Sequence, residues 1–365
     1  MEPFSKKALD RKNFHYFTDT ESGFGVLLYI VLQFVIIYLA RFLISSGVAY
    51  DKIFSEILSF LIEIVFIACV LIISKTGKKN FFKATGLNKK ISWKLVLSCL
   101  IISLLCLFGL SQVSNIFLEV LESLGYHSSA SSISVETIWD LLLYTFLVAI
   151  VPAICEEIMF RGLVLNGLAR CGKYFAIIMS AVLFTLMHGS PDQTIHQFIL
   201  GVVLGFIVYY TGNLWLTIII HFMNNFIVLV YNFIYNLAKS GGTDSAEATS
   251  ALNPIGKVIS FIISAAIIVL AVYLIINEIR RIVKTNHKVN NGSAEYLSKD
   301  ELDKIDVENK AFEQVEEDGG AVVYKVNPEK SQENRVSRKA IIYLIISAVF
   351  LGIEWVIALV NGFVS

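Results

Sequence analysis

The chain has 365 residues, of which 56% are hydrophobic and only 16% are charged, and its 30 basic residues balance its 30 acidic ones. Soluble domains average about 45–50% apolar and about 25% charged residues, so this composition excludes an ordinary soluble fold. The balanced charge gives no indication of a nucleic-acid partner. The five cysteines lie in or beside apolar runs without metal-type spacing, so a disulfide framework is not expected.

Apolar runs long enough to cross a membrane follow one another along the chain. A spanning helix needs about 20 apolar residues. Nine candidate spans are predicted, at about 24–46, 53–74, 93–118, 138–169, 174–189, 194–210, 214–237, 255–277 and 340–363. We therefore predict an all-α fold, a polytopic transmembrane helix bundle of eight to nine spans.

The same pattern divides the chain into segments. They are an N-terminal tail at 1–23, N-terminal transmembrane helices at 24–135, a core at 136–240, a transmembrane helix at 255–277, a polar insert at 278–339 and a C-terminal transmembrane helix at 340–363. The tail is not a cleaved signal peptide, because the apolar run after it is too long and lacks a small-residue cleavage site. Within the insert, 321–326 favours a β-strand.

Basic residues are concentrated in alternate loops. They are Lys75, Lys78, Lys79, Lys83, Lys89, Lys90, Arg170, Lys173, Arg280, Arg281, Lys284 and Lys288. The intervening loops are nearly free of them. Because basic loops stay on the cytoplasmic side, the N-terminus and the polar insert are predicted to be cytoplasmic and the C-terminus to be outside.

Three motifs place polar side chains inside the apolar core. In chain order they read E-E-x-x-x-R, F-x-x-x-H and H-x-x-x-N. A charge near the bilayer centre costs roughly 2.5–3.5 kcal/mol on insertion scales, so such residues indicate function by default. The candidate catalytic residues are Glu156, Glu157, Arg161, His188, His221 and Asn225.

The spacing of the first two motifs predicts that they meet. Glu156 lies 14 residues before the basic turn at 170–173 and His188 lies 15 residues after it. At about 1.5 Å per residue, both lie about 22 Å from the turn and so at similar depth. His221 and Asn225 share one helix face, as do Glu157 and Arg161, which are spaced for an acid–base pair.

These positions give a hypothesis for the chemistry. If Glu157 pairs with Arg161, Glu156 is left free, and a poorly hydrated cavity makes its carboxylate a better base for activating water. His188 would bind the same water or move its proton. His221 and Asn225 would then stabilise the oxyanion that forms on a carbonyl group.

The three motifs together resemble those of the CPBP family of membrane proteases, which includes the type II CAAX prenyl endopeptidases and the bacteriocin-processing and bacteriocin-immunity proteins of the Abi group. The matching region is about 136–240. The resemblance implies an integral membrane endopeptidase, expected in a bacterial plasma membrane, whose glutamate and histidine activate water. Its partners would be the lipid bilayer and a membrane-associated peptide or protein substrate, lipidated or bacteriocin-like.

Several alternatives stay open. Glu156, His188 and His221 would make a two-histidine, one-glutamate zinc set, but the chain lacks H-E-x-x-H and we expect no cofactor. The chain could instead be a non-catalytic binding or bacteriocin-immunity protein on the same fold. A transporter is a third class, which the lack of internal repeats disfavours. Glu63 and Glu354 are intramembrane acids without an assigned role, and a wet outer loop explains His196 and Gln197.

Overall fold

The computed structural model describes residues 17–128, 134–240, 254–291, 312–317, 321–326 and 336–364. The membrane region is an all-α bundle, as predicted. Within these ranges, 8 helices are long and apolar enough to cross a bilayer, and a shorter apolar helix, Lys173–Met187, has 15 residues. The predicted count of eight to nine spans is therefore confirmed.

The N-terminal part supplies three membrane helices and one short helix. Their elements are α1 Asp19–Ser45, α2 Lys52–Thr76, α3 Phe81–Thr85, α4 Trp93–Leu104 and α5 Ser111–Ser123, with a π-helical turn at Leu105–Gly109 between the last two. A capping box starts α1, because Thr18 accepts from the Glu21 amide and Glu21 accepts in return. This polar cap begins the helix five residues before the predicted boundary at 24. Residues 1–16 of the predicted tail lie outside the described residues.

The fourth membrane helix is interrupted twice. It consists of α6 Ile138–Tyr144, α7 Val151–Glu157 and α8 Asn166–Leu168, separated by π-helical segments at Thr145–Ile150 and Ile158–Leu165. Pro152 accounts for the first interruption, because it has no N–H to donate to the carbonyl of Val148 four residues earlier. Such π-turns often mark functional sites, and these two flank α7.

Side chains of neighbouring helices bind carbonyl groups of the second π-segment. Ser180 Oγ donates to the Phe160 oxygen over 2.9 Å, and Ser22 Oγ donates to the Leu163 oxygen over 3.0 Å. The largest apolar core surrounds this segment and includes buried residues of α1, α2 and α9. The middle of the fourth helix is therefore held from several sides.

The next three helices pack beside the fourth membrane helix and carry the second and third motifs. They are α9 Lys173–Met187, α10 Thr194–Thr211 and α11 Leu214–Ser240. At Gly201, a Cβ atom would lie 3.0 Å from the Cβ of Ala181 and 3.1 Å from its Cα. At Gly205 it would lie 2.9 Å from Ile177. Both glycines thus allow α10 to approach α9 closely, as their spacing indicates.

Substituting Gly201 by valine is expected to destabilise the protein by about 1–3 kcal/mol, the usual cost of overpacking. It would also push the Gly201 carbonyl away from Arg161, which donates to it over 3.4 Å. Thermal unfolding of the purified protein measures the effect. Gly352→Val is the matched control, because among the described residues no atom lies within 4 Å of that Cβ position. Equal melting temperatures of the two variants would contradict the prediction.

The C-terminal part departs from the predicted boundaries. Its elements are α12 Pro254–Asn291, a hairpin of β1 Phe312–Glu317 and β2 Ala321–Val326, and α13 Arg338–Val364. The hairpin is antiparallel and pairs Phe312 with Val326, which confirms the predicted strand at 321–326. The helix predicted at 255–277 runs from Pro254 to Asn291 in the structure. Its last turns pack against the bundle, where the buried Asn286 accepts from Asn213 over 2.8 Å.

The basic segments meet at one end of the bundle. Asn166, near the basic turn, donates to the Ala84 carbonyl and accepts from the Phe17 amide. Asn290 of α12 donates to the Lys90 carbonyl over 3.2 Å. The loops that carry these basic residues therefore lie at the same end of the bundle.

At the opposite end, α13 and the loop after α5 hold the turn between α9 and α10. Tyr126 donates to Asp192 over 3.2 Å, and Trp355 Nε1 donates to Thr194 over 2.7 Å. The amide of His127 donates to the Gly362 carbonyl over 2.7 Å. Elements outside the predicted core therefore fix the turn that follows His188.

Candidate active site

The first motif lies in the middle of the fourth membrane helix, at the junction of α7 and the second π-segment. Glu156, Glu157 and Arg161 are 6%, 0% and 1% exposed, respectively. All three charged side chains thus point into the protein rather than toward lipid. Burial of unpaired charge is costly, so their partners determine what they can do.

Glu157 is the centre of a buried polar network. Arg161 Nη1 donates to Glu157 Oε1 over 2.8 Å, which confirms the predicted i,i+4 pair. The Nδ1 of His221 lies 3.0 Å from the same oxygen. Glu157 therefore fixes both the arginine and one of the two predicted histidines.

Phe184 of α9 packs between the charged network and the histidines. The guanidinium carbon of Arg161 lies 4.3 Å from the Phe184 ring centroid. The same ring makes edge-on contacts with His188 and His221, at centroid distances of 4.8 and 5.7 Å. Phe184 thus orients the site through packing and a cation–π contact.

Glu156 faces both predicted histidines. Its Oε2 lies 3.9 Å from the Nε2 of His188 and 3.9 Å from the Nε2 of His221. No described residue donates a hydrogen bond to this buried oxygen. The helices of the first two motifs therefore meet at Glu156, as their equal distances from the basic turn predict. His221 of α11 lies at the same point.

The hydrogen bonds of the two rings determine which nitrogen carries a proton. His188 Nδ1 lies 2.8 Å from the Phe184 carbonyl oxygen, which can only accept, so Nδ1 donates. His221 Nδ1 likewise donates to the Glu157 carboxylate. A neutral imidazole has one N–H, so both neutral rings present an unprotonated Nε2 to Glu156.

Asn225 lies one helical turn after His221, and its amide donates to a backbone carbonyl of the fourth membrane helix. Its Nδ2 donates over 3.0 Å to the carbonyl of Val148. Pro152 has no N–H and cannot donate to this carbonyl. The structure thus gives Asn225 a helix-bridging contact and no contact with Glu156.

A second amide and a third histidine were not predicted at the site. Asn224 is buried, and its Nδ2 lies 3.1 Å from the Nε2 of His196 on α10. His196 is half-buried and Gln197 is buried, so a wet outer loop does not describe them. Asn224 lies three residues after His221, a helical spacing that could have indicated a shared face.

Glu63 of α2 is a further acid near the centre. It lies within electrostatic range of Glu156 and His221. Its Oε2 is buried and accepts no hydrogen bond from any residue in the described ranges. Glu354 lies apart, in a groove of about 670 Å³ that α1 residues such as Arg41 also line.

The separations between Glu156 and the two histidines are longer than those between the ligands of a zinc ion. Tetrahedral zinc holds nitrogen and oxygen ligands at about 2.0–2.1 Å and thus about 3.3–3.4 Å from one another. The separations of 3.9 Å are longer than that. No group of three histidine, cysteine or acidic residues with metal-binding geometry occurs among the described residues.

Comparison with known protein families found a match for the region that contains these residues. Residues 138–227 match the family described as type II CAAX prenyl endopeptidase Rce1-like. This part of the chain is similar to an Rce1-like domain, and we refer to residues 138–227 by that name. The match confirms the resemblance to the CPBP family, and it includes all six candidate residues. No curated protein and no solved structure matches the chain.

The matched family is of the protease type, and helices outside residues 138–227 surround the matching region of this chain. Phe160 of the domain contacts Phe66 of α2 at a centroid distance of 5.9 Å, and Phe66 stacks on Tyr29 of α1 at 3.9 Å. Helix α13 holds the turn after His188. These helices therefore support the domain from two sides.

Proposed function

We propose that the Rce1-like domain hydrolyses a peptide bond of a membrane-associated peptide or protein, with Glu156 as the general base. One observation carries this proposal. Glu156 Oε2, which lacks a hydrogen-bond donor among the described residues, lies 3.9 Å from the Nε2 atoms of His188 and His221. A base without a structural partner is available to a reacting water.

The separation of Glu156 and His188 suits a water molecule between them. A gap of 3.9 Å is too long for a direct hydrogen bond. A water that donates to both atoms over about 2.8 Å would bridge the gap at an angle of about 90°. Both of its protons are then engaged, and a lone pair remains for attack on a carbonyl carbon.

Glu156 alone can carry the proton that hydrolysis of the peptide bond requires. The water oxygen bonds to the carbonyl carbon, its proton passes to Glu156, and the carbonyl electron pair moves onto oxygen. When the tetrahedral intermediate collapses, the C–N bond breaks and Glu156 returns a proton to the leaving amine nitrogen. The products are a carboxylic acid, which then loses its remaining proton to solvent, and an amine.

His221 would act as a proton acceptor before it acts as a donor. In its neutral form its Nε2 accepts, so it can take the proton from Glu156 while the tetrahedral intermediate exists and return it to Glu156 before the C–N bond breaks. The resulting imidazolium is stabilised by the Glu157 carboxylate, which lies 3.0 Å from Nδ1. Only this charged form can support an oxyanion from Nε2, as the sequence-based hypothesis requires.

The surroundings favour a substrate that the membrane delivers. The site lies among apolar helices, which keep bulk water scarce, and a lipid anchor or an amphipathic segment would concentrate a peptide there. We propose lipidated or bacteriocin-like peptides as substrates, and a reaction that needs no metal. The proposed orientation in a bacterial plasma membrane has the N-terminus cytoplasmic and the C-terminus outside.

Cleavage of fluorogenic peptides by the detergent-purified full chain tests the proposal. The wild type should cleave peptides that carry a prenyl-cysteine anchor faster than unanchored ones, and a chelator should not inhibit it. Glu156→Ala should be inactive. Inhibition by chelator with recovery on added zinc would overturn the metal-independent mechanism. No Glu156-dependent cleavage of any peptide would overturn the hydrolytic function and favour a binding protein.

A further inference from the structure

His196 lies next to the catalytic centre, although it belongs to none of the three motifs. It occupies the first turn of α10 and is half-buried. Its charge would interact with both His188 and His221, which places it within electrostatic range of the two rings. A third histidine therefore lies near the two histidines that face Glu156.

The contact with Asn224 orients the His196 ring. The amide nitrogen of Asn224 can only donate, so the Nε2 of His196 accepts over their 3.1 Å separation. The neutral ring then carries its proton on Nδ1. This N–H has no acceptor among the described residues, and it is not sealed in the protein interior.

The other two histidines at the site have no free N–H. His188 donates from Nδ1 to the Phe184 carbonyl, and His221 donates from Nδ1 to Glu157. Their Nε2 atoms accept. His196 is therefore the one neutral histidine of the site, within the described residues, whose N–H is available to a substrate oxygen.

Two amides flank His221 on α11 and hold different partners. At about 100° per residue, Asn224 lies about 60° to one side of His221 and Asn225 about 40° to the other. Asn225 donates to the Val148 carbonyl, and Asn224 donates to His196. The first contact joins two helices, whereas the second orients a histidine whose Nδ1 has no partner among the described residues.

We propose that His196 is a further catalytic residue, which donates from Nδ1 to the scissile carbonyl oxygen as that oxygen becomes an oxyanion. Asn224 is its positioning residue. This inference rests on the proposed hydrolysis. A donor held in place before the reaction stabilises developing charge without reorganisation, and removing one such donor costs about 10²–10³-fold in kcat.

The test compares His196→Leu and His196→Phe with Asn225→Ala in the purified full chain. A phosphinic peptide, which mimics the tetrahedral intermediate, serves as the inhibitor. We expect kcat of both His196 variants to fall about 10²–10³-fold, with KM nearly unchanged and inhibitor affinity falling in parallel. His196→Gln, which keeps an N–H donor, should recover part of the loss. Asn225→Ala should retain more activity than either.

Two results would overturn the role of His196. One is a wild-type kcat in the variant, Leu or Phe, that folds with a normal melting temperature. The other is a change confined to KM. Glu156→Gln in the same assay separates this inference from the proposed function. If Glu156→Gln is inactive while the His196 variants are active, only the role of His196 fails. If Glu156→Gln cleaves like the wild type, the hydrolytic proposal fails as well.

Discussion

Glu156→Gln is expected to lower kcat by about 10²–10⁴-fold, the usual contribution of a general base. The amide has the shape of the carboxylate but cannot take a proton from water. Because Glu156 Oε2 accepts no hydrogen bond from the described residues, the substitution should not reduce stability. Initial rates of cleavage of an anchored peptide, together with a thermal unfolding curve, measure both effects.

The control for this prediction is Glu354→Gln. Glu354 is also an acid in a membrane helix, but it lies in the groove beside Arg41 and outside the catalytic centre. Its substitution should leave kcat close to the wild-type value. Equal losses in the two variants would show that any intramembrane acid matters, and would remove the special role of Glu156.

Arg161→Met is expected to destabilise the protein by about 3–5 kcal/mol, the cost of leaving one member of a buried ion pair without its partner. Glu157 would keep a buried charge and lose its cationic partner, with His221 and Thr217 still beside it. The cation–π contact with Phe184 would also be lost. Thermal or denaturant unfolding of the detergent-solubilised chain measures the change.

The double variant Glu157→Gln, Arg161→Met is the matched control for that loss. It removes both charges, so it should recover much of the stability that Arg161→Met loses. Activity should stay low, because the neutral amide cannot stabilise a protonated His221. A double variant that is less stable than Arg161→Met would show that the ion pair is not the source of the effect.

Much of the site could be predicted because helical spacing is regular. The pair of Glu157 and Arg161 follows from four-residue spacing, and the meeting of Glu156 with His188 follows from their equal distance to one turn. Both relations depend only on residues within one helix or one helical hairpin. The same regularity explains why the all-α bundle and its spans were predictable.

The contacts that could not be predicted depend on how each helix is oriented about its axis relative to its neighbours. Asn224 and Asn225 differ by about 100° on α11, and only the packing of α10 decides which one meets His196. The length of α12 depends on Asn213, which is distant in sequence. Pro152 is a local signal that could have indicated both the first π-turn and a carbonyl in need of the Asn225 amide.

The most direct test of glutamate-activated water is the fate of solvent oxygen. The wild type, in proteoliposomes, would cleave a prenyl-anchored peptide in ¹⁸O-enriched water, and mass spectrometry would identify the products. We expect one solvent oxygen in the new C-terminal carboxylate for the wild type, and about 10²–10⁴-fold slower formation of that product for Glu156→Gln. Labelled product formed equally by both proteins, or no cleavage by the wild type, would contradict the mechanism.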